Sequence, residues 1–373
     1  MNLDFSDDQK QLQEQVRRYL TEKCPTSKVR EVLESDTAYA ADVYKGLAEL
    51  GALGVAIPEE YGGVGLSHLE LCLVAEEIGR AMAPVPAASS IYLAAEFLLE
   101  AGSEAQKSKW LPALASGESV GCFAYAEGLG EMSDDKISAT VSDGKLSGAK
   151  LPVADGSIAA FAVVAAKSNG KTSLFLVDLS ADGVSRTNVE TVDPTKNYAE
   201  LSFQNAPAEA LVAEGDGWHI LTTVMDRAAV LLAFEQLGGA DRALEMGRDY
   251  ALERMAFGRP IGSFQAIKHM LADMYVSATL ARSNCYYAAW ALSTRSEELP
   301  VAAATARVSA TNAFQHCAKN NIQVHGGMGF TWEFDCHLYY RRSNALALVL
   351  GSLSSWEREL IARMSEQDLT DAA

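Results

Sequence analysis

Two long stretches of helical periodicity meet at one break, Gly258 and Pro260, and that break constrains the chain more than any other feature. Upstream, from Ile220 to Arg254, apolar residues fall at Leu221, Val224, Ala228, Leu231, Leu232 and Leu237. Downstream, from Phe264 to Leu292, the pattern resumes at Ile267, Leu271, Met274, Ala278 and Leu280. Both stretches follow the spacing of one helix face. Proline lacks an amide hydrogen and glycine tolerates unusual backbone angles, so the pair ends one helix and starts another. The turn between them brings Arg254, Phe257 and Gln265 close together. An arginine fork there suits a diphosphate, because its planar donors meet two oxygens at once.

The rest of the chain divides by periodicity. Residues 1–117 read as helices, with Ser6 as an N-cap before Leu12, Val16 and Leu20. Further amphipathic stretches follow at Asp42–Leu50, Leu69–Met82 and Ile91–Leu99. Residues 118–211 change to short β-type runs: Val120–Tyr125, Lys136–Val141, Ile158–Ala165, Ser173–Val177 and Ala199–Phe203. Asp143-Gly144, Asn169-Gly170 and Asp182-Gly183 separate them as turns, which predicts a compact antiparallel barrel or sandwich. Residues 212–373 return to long helices. The expected organisation is α+β in three domains: N-terminal helical, middle β-barrel and C-terminal four-helix bundle.

Charge narrows the partners. Against 31 Lys and Arg stand 49 Asp and Glu, a net charge of -18. Nucleic acid and anionic membrane surfaces both demand a basic face, so neither is an expected partner. The six cysteines, Cys24, Cys72, Cys122, Cys285, Cys317 and Cys336, include no C-x-x-C pair. No basic, apolar leader opens the sequence, and no window is apolar for the length of a membrane span. Reduced thiols in a cytoplasmic protein are the expectation. No histidine and cysteine spacing predicts a metal site.

The turn R-x-x-F-G-x-P-I-x-x-F-Q, from Arg254 to Gln265, resembles a signature of the acyl-CoA dehydrogenase family. A second block, Gln323-Val324-His325-Gly326-Gly327-Met328-Gly329, resembles that family's Q-x-x-G-G-x-G. Pro58-Glu59-Glu60-Tyr61-Gly62-Gly63-Val64-Gly65 is similar to its P-x-x-Y-G-G-x-G. The helical, β, helical order also fits, so the resemblance covers almost the whole chain. It implies FAD as cofactor. Arg254, Phe257, Gln265, Gln323, Gly326 and Gly327 would then hold the ADP half of a flavin whose ring sits on a neighbouring subunit's β domain. Close backbone approach is what the two glycines allow. His325, inside this block, is either a group beside the flavin or a packed side chain.

The resemblance also implies a reaction. The α-proton of an acyl-CoA leaves to a carboxylate base, and the β-hydrogen leaves as hydride to the flavin. The commonest base position falls here on Leu350, which cannot accept a proton. A second family position, before an arginine on the first long C-terminal helix, falls on Asp226, with Arg227 beside it as a substrate-binding candidate. Aspartate is shorter than glutamate by roughly 1.5 Å, and a misplacement of about 1 Å can cost a hundredfold in rate. Asp226 is thus a candidate base or a carboxylate held in an ion pair. The flavin-ring wall departs from the pattern as well. In the block Ala124–Asp134, Ala126 stands for the family's threonine and Gly128 for its proline. In Gly148–Gly156, Pro152 and Ala154 replace a tryptophan and a threonine, while Gly148, Lys150 and Gly156 remain.

Three functions are compatible with these residues. The first is a subunit of a heteromeric acyl-CoA dehydrogenase, a heterotetramer in which a related chain supplies the base, acting on a bulky acyl-CoA such as a steroid side-chain thioester. It would pass electrons to a separate acceptor. The second is a self-sufficient homotetramer using Asp226. The third is a flavin-free CoA-thioester binding or scaffold protein.

Overall fold

Capped amphipathic helices open the chain. Helix α1 (Asp7–Lys23) starts with a capping box: the Gln9 amide donates to Ser6 Oγ over 3.2 Å, and Gln9 Oε1 accepts from the Ser6 amide over 2.8 Å. This satisfies two donors that every helix N-terminus leaves over. The computed structural model describes residues 5–128, 130–131, 133–211 and 217–371. Leu129 and Met132 of the block Ala124–Asp134, the expected boundary at 211/212 and the last two residues fall at or within the undescribed positions.

The chain forms two compact units that do not follow its linear order. One comprises residues 1–28, 68–83 and 229–373, and the other residues 29–67 and 84–228.

The first unit is helical. It holds α1, α4 (His68–Arg80), α7 (Gly217–Glu253) from Ala229 onward, α8 (Gln265–Ser293), α9 (Leu299–His325), α10 (Cys336–Leu346) and α11 (Leu353–Asp371). Glycines set how close α4 and α7 come. A Cβ on Gly79 would lie 1.8 Å from the Glu235 carbonyl oxygen, and one on Gly238 1.9 Å from that of Glu76. Charges inside this unit are paired, as burial requires. Arg282 donates to Glu76 at 2.9 Å and to Asp241, and Arg17 reaches Glu77 at 2.7 Å.

The second unit surrounds a sheet. It includes α2 (Thr26–Leu33) from Val29, α3 (Ala41–Glu49), a π-helical segment Ala88–Ala95 running into α5 (Glu96–Ala101), and α6 (Glu104–Ala115). The strands are β1 (Gly121–Ala124), β2 (Thr140–Ser142), β3 (Lys145–Ala154), β4 (Phe161–Ser168), β5 (Lys171–Asp178), β6 (Val184–Asn188), β7 (Tyr198–Pro207) and β8 (Glu209–Ala210). They form one sheet in the order β6-β7-β3-β2-β4-β5-β8, with β1 also on β4. Asp143-Gly144 turns β2 into β3, and Asn169-Gly170 turns β4 into β5, with φ positive at all four residues. The pairing is not wholly antiparallel: β1 and β2 both run parallel to β4. The run expected from Lys136 becomes strand only at Thr140. Before it, Asp134–Lys136 forms a 3-10 turn in which Asp134 accepts from Thr172 and Lys167.

Among the described residues, no helix is long and apolar enough to cross a membrane, and no group of His, Cys, Asp and Glu could hold a metal ion.

Candidate functional site

The predicted turn is a hairpin two pairs of residues deep. After α7 ends at Glu253, β9 (Met255–Ala256) pairs antiparallel with β10 (Arg259–Pro260). The central residues Phe257 and Gly258 have φ of 50° and 78°. Two positive values in a two-residue loop are the requirement of a type I′ turn, which glycine meets freely and phenylalanine does not. The hairpin is fastened at its base by the Ile261 amide donating to the Arg254 carbonyl over 2.8 Å. Phe257 is 95% exposed, its ring edge-on to Phe264, and the Arg259 guanidinium lies 4.1 Å above the Phe264 ring. Arg254 and Gln265 are exposed as well, Gln265 opening α8. Among the described residues, no carboxylate pairs with Arg254.

The second block ends α9. Gly326 has φ 59° and ψ -137°, a combination open in practice to glycine alone, and its amide donates to the Gln323 carbonyl. Gln323 is exposed. A Cβ built on Gly326 or Gly327 would meet nothing within 4 Å. Open space over two adjacent backbone units is a cradle that a diphosphate or its ribose can enter, and that any side chain would fill. Gly329 differs: its Cβ would sit 2.5 Å from the Ile322 carbonyl oxygen, so packing alone explains it. His325 is a packed side chain, 7% exposed and stacked on Tyr250 at 4.1 Å.

In the sheet unit the ring-wall residues come together. The Leu151 amide donates to the Ala126 carbonyl at 2.8 Å, and the Gly128 amide to the Leu151 carbonyl at 2.9 Å. The segment Ala126–Gly128 therefore lies beside Leu151-Pro152. Ala126 is buried, Ala154 half-buried and Pro152 exposed. None of the three side chains carries a hydroxyl or an aromatic ring to offer a flavin. Behind this wall the motif residues do structural work. Lys150 is fully buried and reaches Glu127 at 2.6 Å and the Tyr125 carbonyl at 3.1 Å. Burial pushes Glu127 up, but Lys150, Ser138 and the Ala139 amide together hold it below the ordinary value. A Cβ on Gly148, at φ 139°, would lie 2.7 Å from that of Ala139.

The candidate base and its neighbour part company. Asp226 is only 6% exposed on α7. Arg227 turns to α5, where Glu100 takes its guanidinium at 2.5 Å and Glu96 at 3.4 Å. Leu350 is buried with φ 62°. Its turn is fixed by Trp356, which donates to the Leu350 carbonyl at 3.1 Å, and by buried Arg307, which donates to the carbonyls of Leu346 and Val349. Sequence reading missed Arg307 and the Tyr250–His325 stack. Both are contacts between distant helices and leave no local signal.

Comparison with known proteins agrees with this architecture. The family descriptions "Acyl-CoA dehydrogenase, N-terminal domain" and "Acyl-CoA dehydrogenase, C-terminal domain" match residues 6–118 and 215–365. Acyl-CoA dehydrogenase IpdE2 of Mycobacterium tuberculosis is 33% identical over 362 residues, covering 97% of each chain. A variant of the steroid ACAD Tcur3481-Tcur3483 superposes with a TM-score of 0.89 at 31% identity, covering 97% of this chain and 99% of the other. A chain of the ChsE4-ChsE5 complex from Mycobacterium tuberculosis gives a TM-score of 0.90 at 26% identity, covering 98% and 99%. Matched at both terminal domains and alongside relatives over nearly its full length, the chain belongs to the acyl-CoA dehydrogenase family, FAD-dependent oxidoreductases that act on the CH–CH group of acyl-CoA thioesters.

Proposed function

We propose that this chain is one subunit of a heteromeric acyl-CoA dehydrogenase, in which it completes the flavin site of a related second chain. The observation that carries the reading is a contrast. One unit has open backbone at Gly326-Gly327 and an exposed Arg254 with no carboxylate partner among the described residues, while in the other Ala126, Pro152 and Ala154 offer a ring no hydroxyl and no aromatic side chain. Bound FAD supplies the hydride acceptor for the β-hydrogen of the acyl group. On this reading Arg254 neutralises and orients the diphosphate, Gln265 and Gln323 offer amide partners, and the glycine turn lets the backbone approach. The partner's β domain holds the ring and the partner's carboxylate removes the α-proton. Leu350 supports this, since its side chain cannot take a proton.

The relatives support a substrate class. The Tcur3481-Tcur3483 structure is described as a steroid ACAD and the ChsE4-ChsE5 structure as a complex of two different chains. We extend both features to this chain: a bulky, steroid-type acyl-CoA as substrate, a two-chain assembly and a separate electron acceptor. The self-sufficient alternative rests on Asp226, whose burial suits a base shielded from water. Affinity purification of the chain expressed with and without a neighbouring acyl-CoA dehydrogenase gene separates them. The proposal expects a mixed, yellow assembly in the first case and colourless protein in the second. A yellow, active homomer would overturn it.

A further inference from the structure

The Arg254 hairpin and the Gly326-Gly327 turn hang from different helices, α7 and α9. Neither turn is packed against at its glycines: a Cβ on Gly258, Gly326 or Gly327 would meet nothing within 4 Å. A ligand that touches both turns must find them at a fixed spacing, or bear the cost of ordering them as it binds. Something has to tie the two helix ends together, and the structure shows one such tie.

Tyr250 sits one helical turn before Arg254, whose amide donates to the Tyr250 carbonyl over 2.8 Å. Its ring stacks on His325 with centroids 4.1 Å apart and planes 22° from parallel. His325 is the last residue of α9 and directly precedes Gly326. Phe334, from the chain beyond the glycine turn, stands edge-on to both rings, 6.0 Å from Tyr250 and 5.6 Å from His325. The His325 ring is held from behind as well: Nδ1 lies 2.8 Å from the Asn321 carbonyl, which can only accept, so the proton of the neutral ring is on Nδ1. Burial lowers the His325 pKa, so the neutral ring, which stacks without a buried charge, prevails at neutral pH.

We propose that the Tyr250–His325–Phe334 stack is a positioning clamp, setting the distance between the Arg254 hairpin and the Gly326-Gly327 turn for one ADP moiety. The proposal rests on the reading of those two turns as the ADP half of a flavin site. The three rings act through the turns they hold and need not touch the ligand.

The test uses the full chain in its mixed assembly with the second acyl-CoA dehydrogenase chain, stripped of flavin and titrated with FAD and with ADP. Aromatic pairs of this kind are worth enough that losing one should weaken FAD and ADP by about three- to tenfold. Tyr250→Leu and His325→Leu should both do so, while Tyr250→Phe, which keeps the stack, should bind as the parent does. A role in folding alone would lower the melting temperature and leave the affinity of the folded protein unmoved. The decisive readout is a double-mutant cycle. If Tyr250 works by placing Arg254, Tyr250→Leu should have little further effect on FAD affinity once Arg254→Ala is present. Fully additive effects would overturn the clamp. Should His325→Leu not assemble, Phe334→Leu carries the same expectation, and unchanged affinity there would overturn it too. Failure of Arg254→Ala itself to weaken FAD would sink the underlying site reading. A normal loss in Arg254→Ala with none in the stack variants would sink only the clamp.

Discussion

The sheet unit and the helical unit both keep family motif residues, but for different physical reasons. In the sheet unit, the retained Gly148 and Lys150 have folding roles. Gly148 must be glycine because a Cβ would strike Ala139, and Lys150 is fully buried against Glu127. The positions that would face a ring, Ala126, Pro152 and Ala154, depart from the pattern. In the helical unit the retained residues include some with no folding role in view. Gly327 would tolerate a Cβ sterically, and Arg254 is exposed without a carboxylate partner among the described residues. A residue that neither packing nor backbone geometry requires points to a ligand. A residue that packing fully explains says nothing about one. On the function proposed above, the helical unit touches the ADP half of FAD, while the retained residues of the sheet unit serve the fold.

Breaking the sheet-side frame should have the largest effect, and on stability. Removing one partner of a buried ion pair typically costs about 3–5 kcal/mol, so Glu127→Ala should lower the midpoint of denaturant unfolding steeply. The pair also sets a pH dependence. Glu127 is held below its ordinary value of 4.5 in the fold, so its contribution is fully present above that pH. It is lost as pH falls through the depressed folded value. Comparing Glu127→Gln with the parent from pH 7 to pH 3 checks the sign: the gap between them should close at the acid end.

Removing the helical-side donor should come next. Arg254→Ala deletes a charge-assisted bond worth about 1.5–3 kcal/mol, so FAD should be retained roughly ten- to a hundredfold less tightly by the assembled protein. Unchanged occupancy on dilution would remove the distinction between the two regions. A gain is expected from the reverse experiment. Ala126→Thr, Pro152→Trp and Ala154→Thr together restore a hydroxyl, a ring and a second hydroxyl to the sheet wall. The flavin content of the assembly should then rise, up to about double if every added site fills. The smallest effect is reserved for Asp226→Asn, which keeps shape and removes the proton acceptor. With the base on a partner, turnover should stay within a few-fold. A collapse by several orders of magnitude, with flavin content intact, would make Asp226 the base.

What the sequence conveyed follows the range of the interactions. Helical periodicity and glycine turns are local, and α7, α8, the hairpin between them and the two strand turns were all legible. Strand β3 was not read as a strand, because register shifts near Gly148 and between Lys150 and Val153 break its alternation. Strand β6 was missed because its side chains are mostly exposed and polar. The parallel pairing of β1 and β2 with β4 has no local sign. The same holds for the site. The glycines and Arg254 stood out by spacing, whereas the partners of Arg227, Glu96 and Glu100, lie more than a hundred residues away. The His325 stack could not be told from chance packing until Tyr250 was placed against it.

On the function proposed above, one chain carries good ADP contacts and a poor ring wall, so two different chains are needed for each complete flavin site. Flavin stoichiometry tests it most directly. About one FAD per two chains is expected in the purified mixed assembly, and little or none in this chain expressed alone. One FAD per chain in a homotetramer of this chain would contradict it.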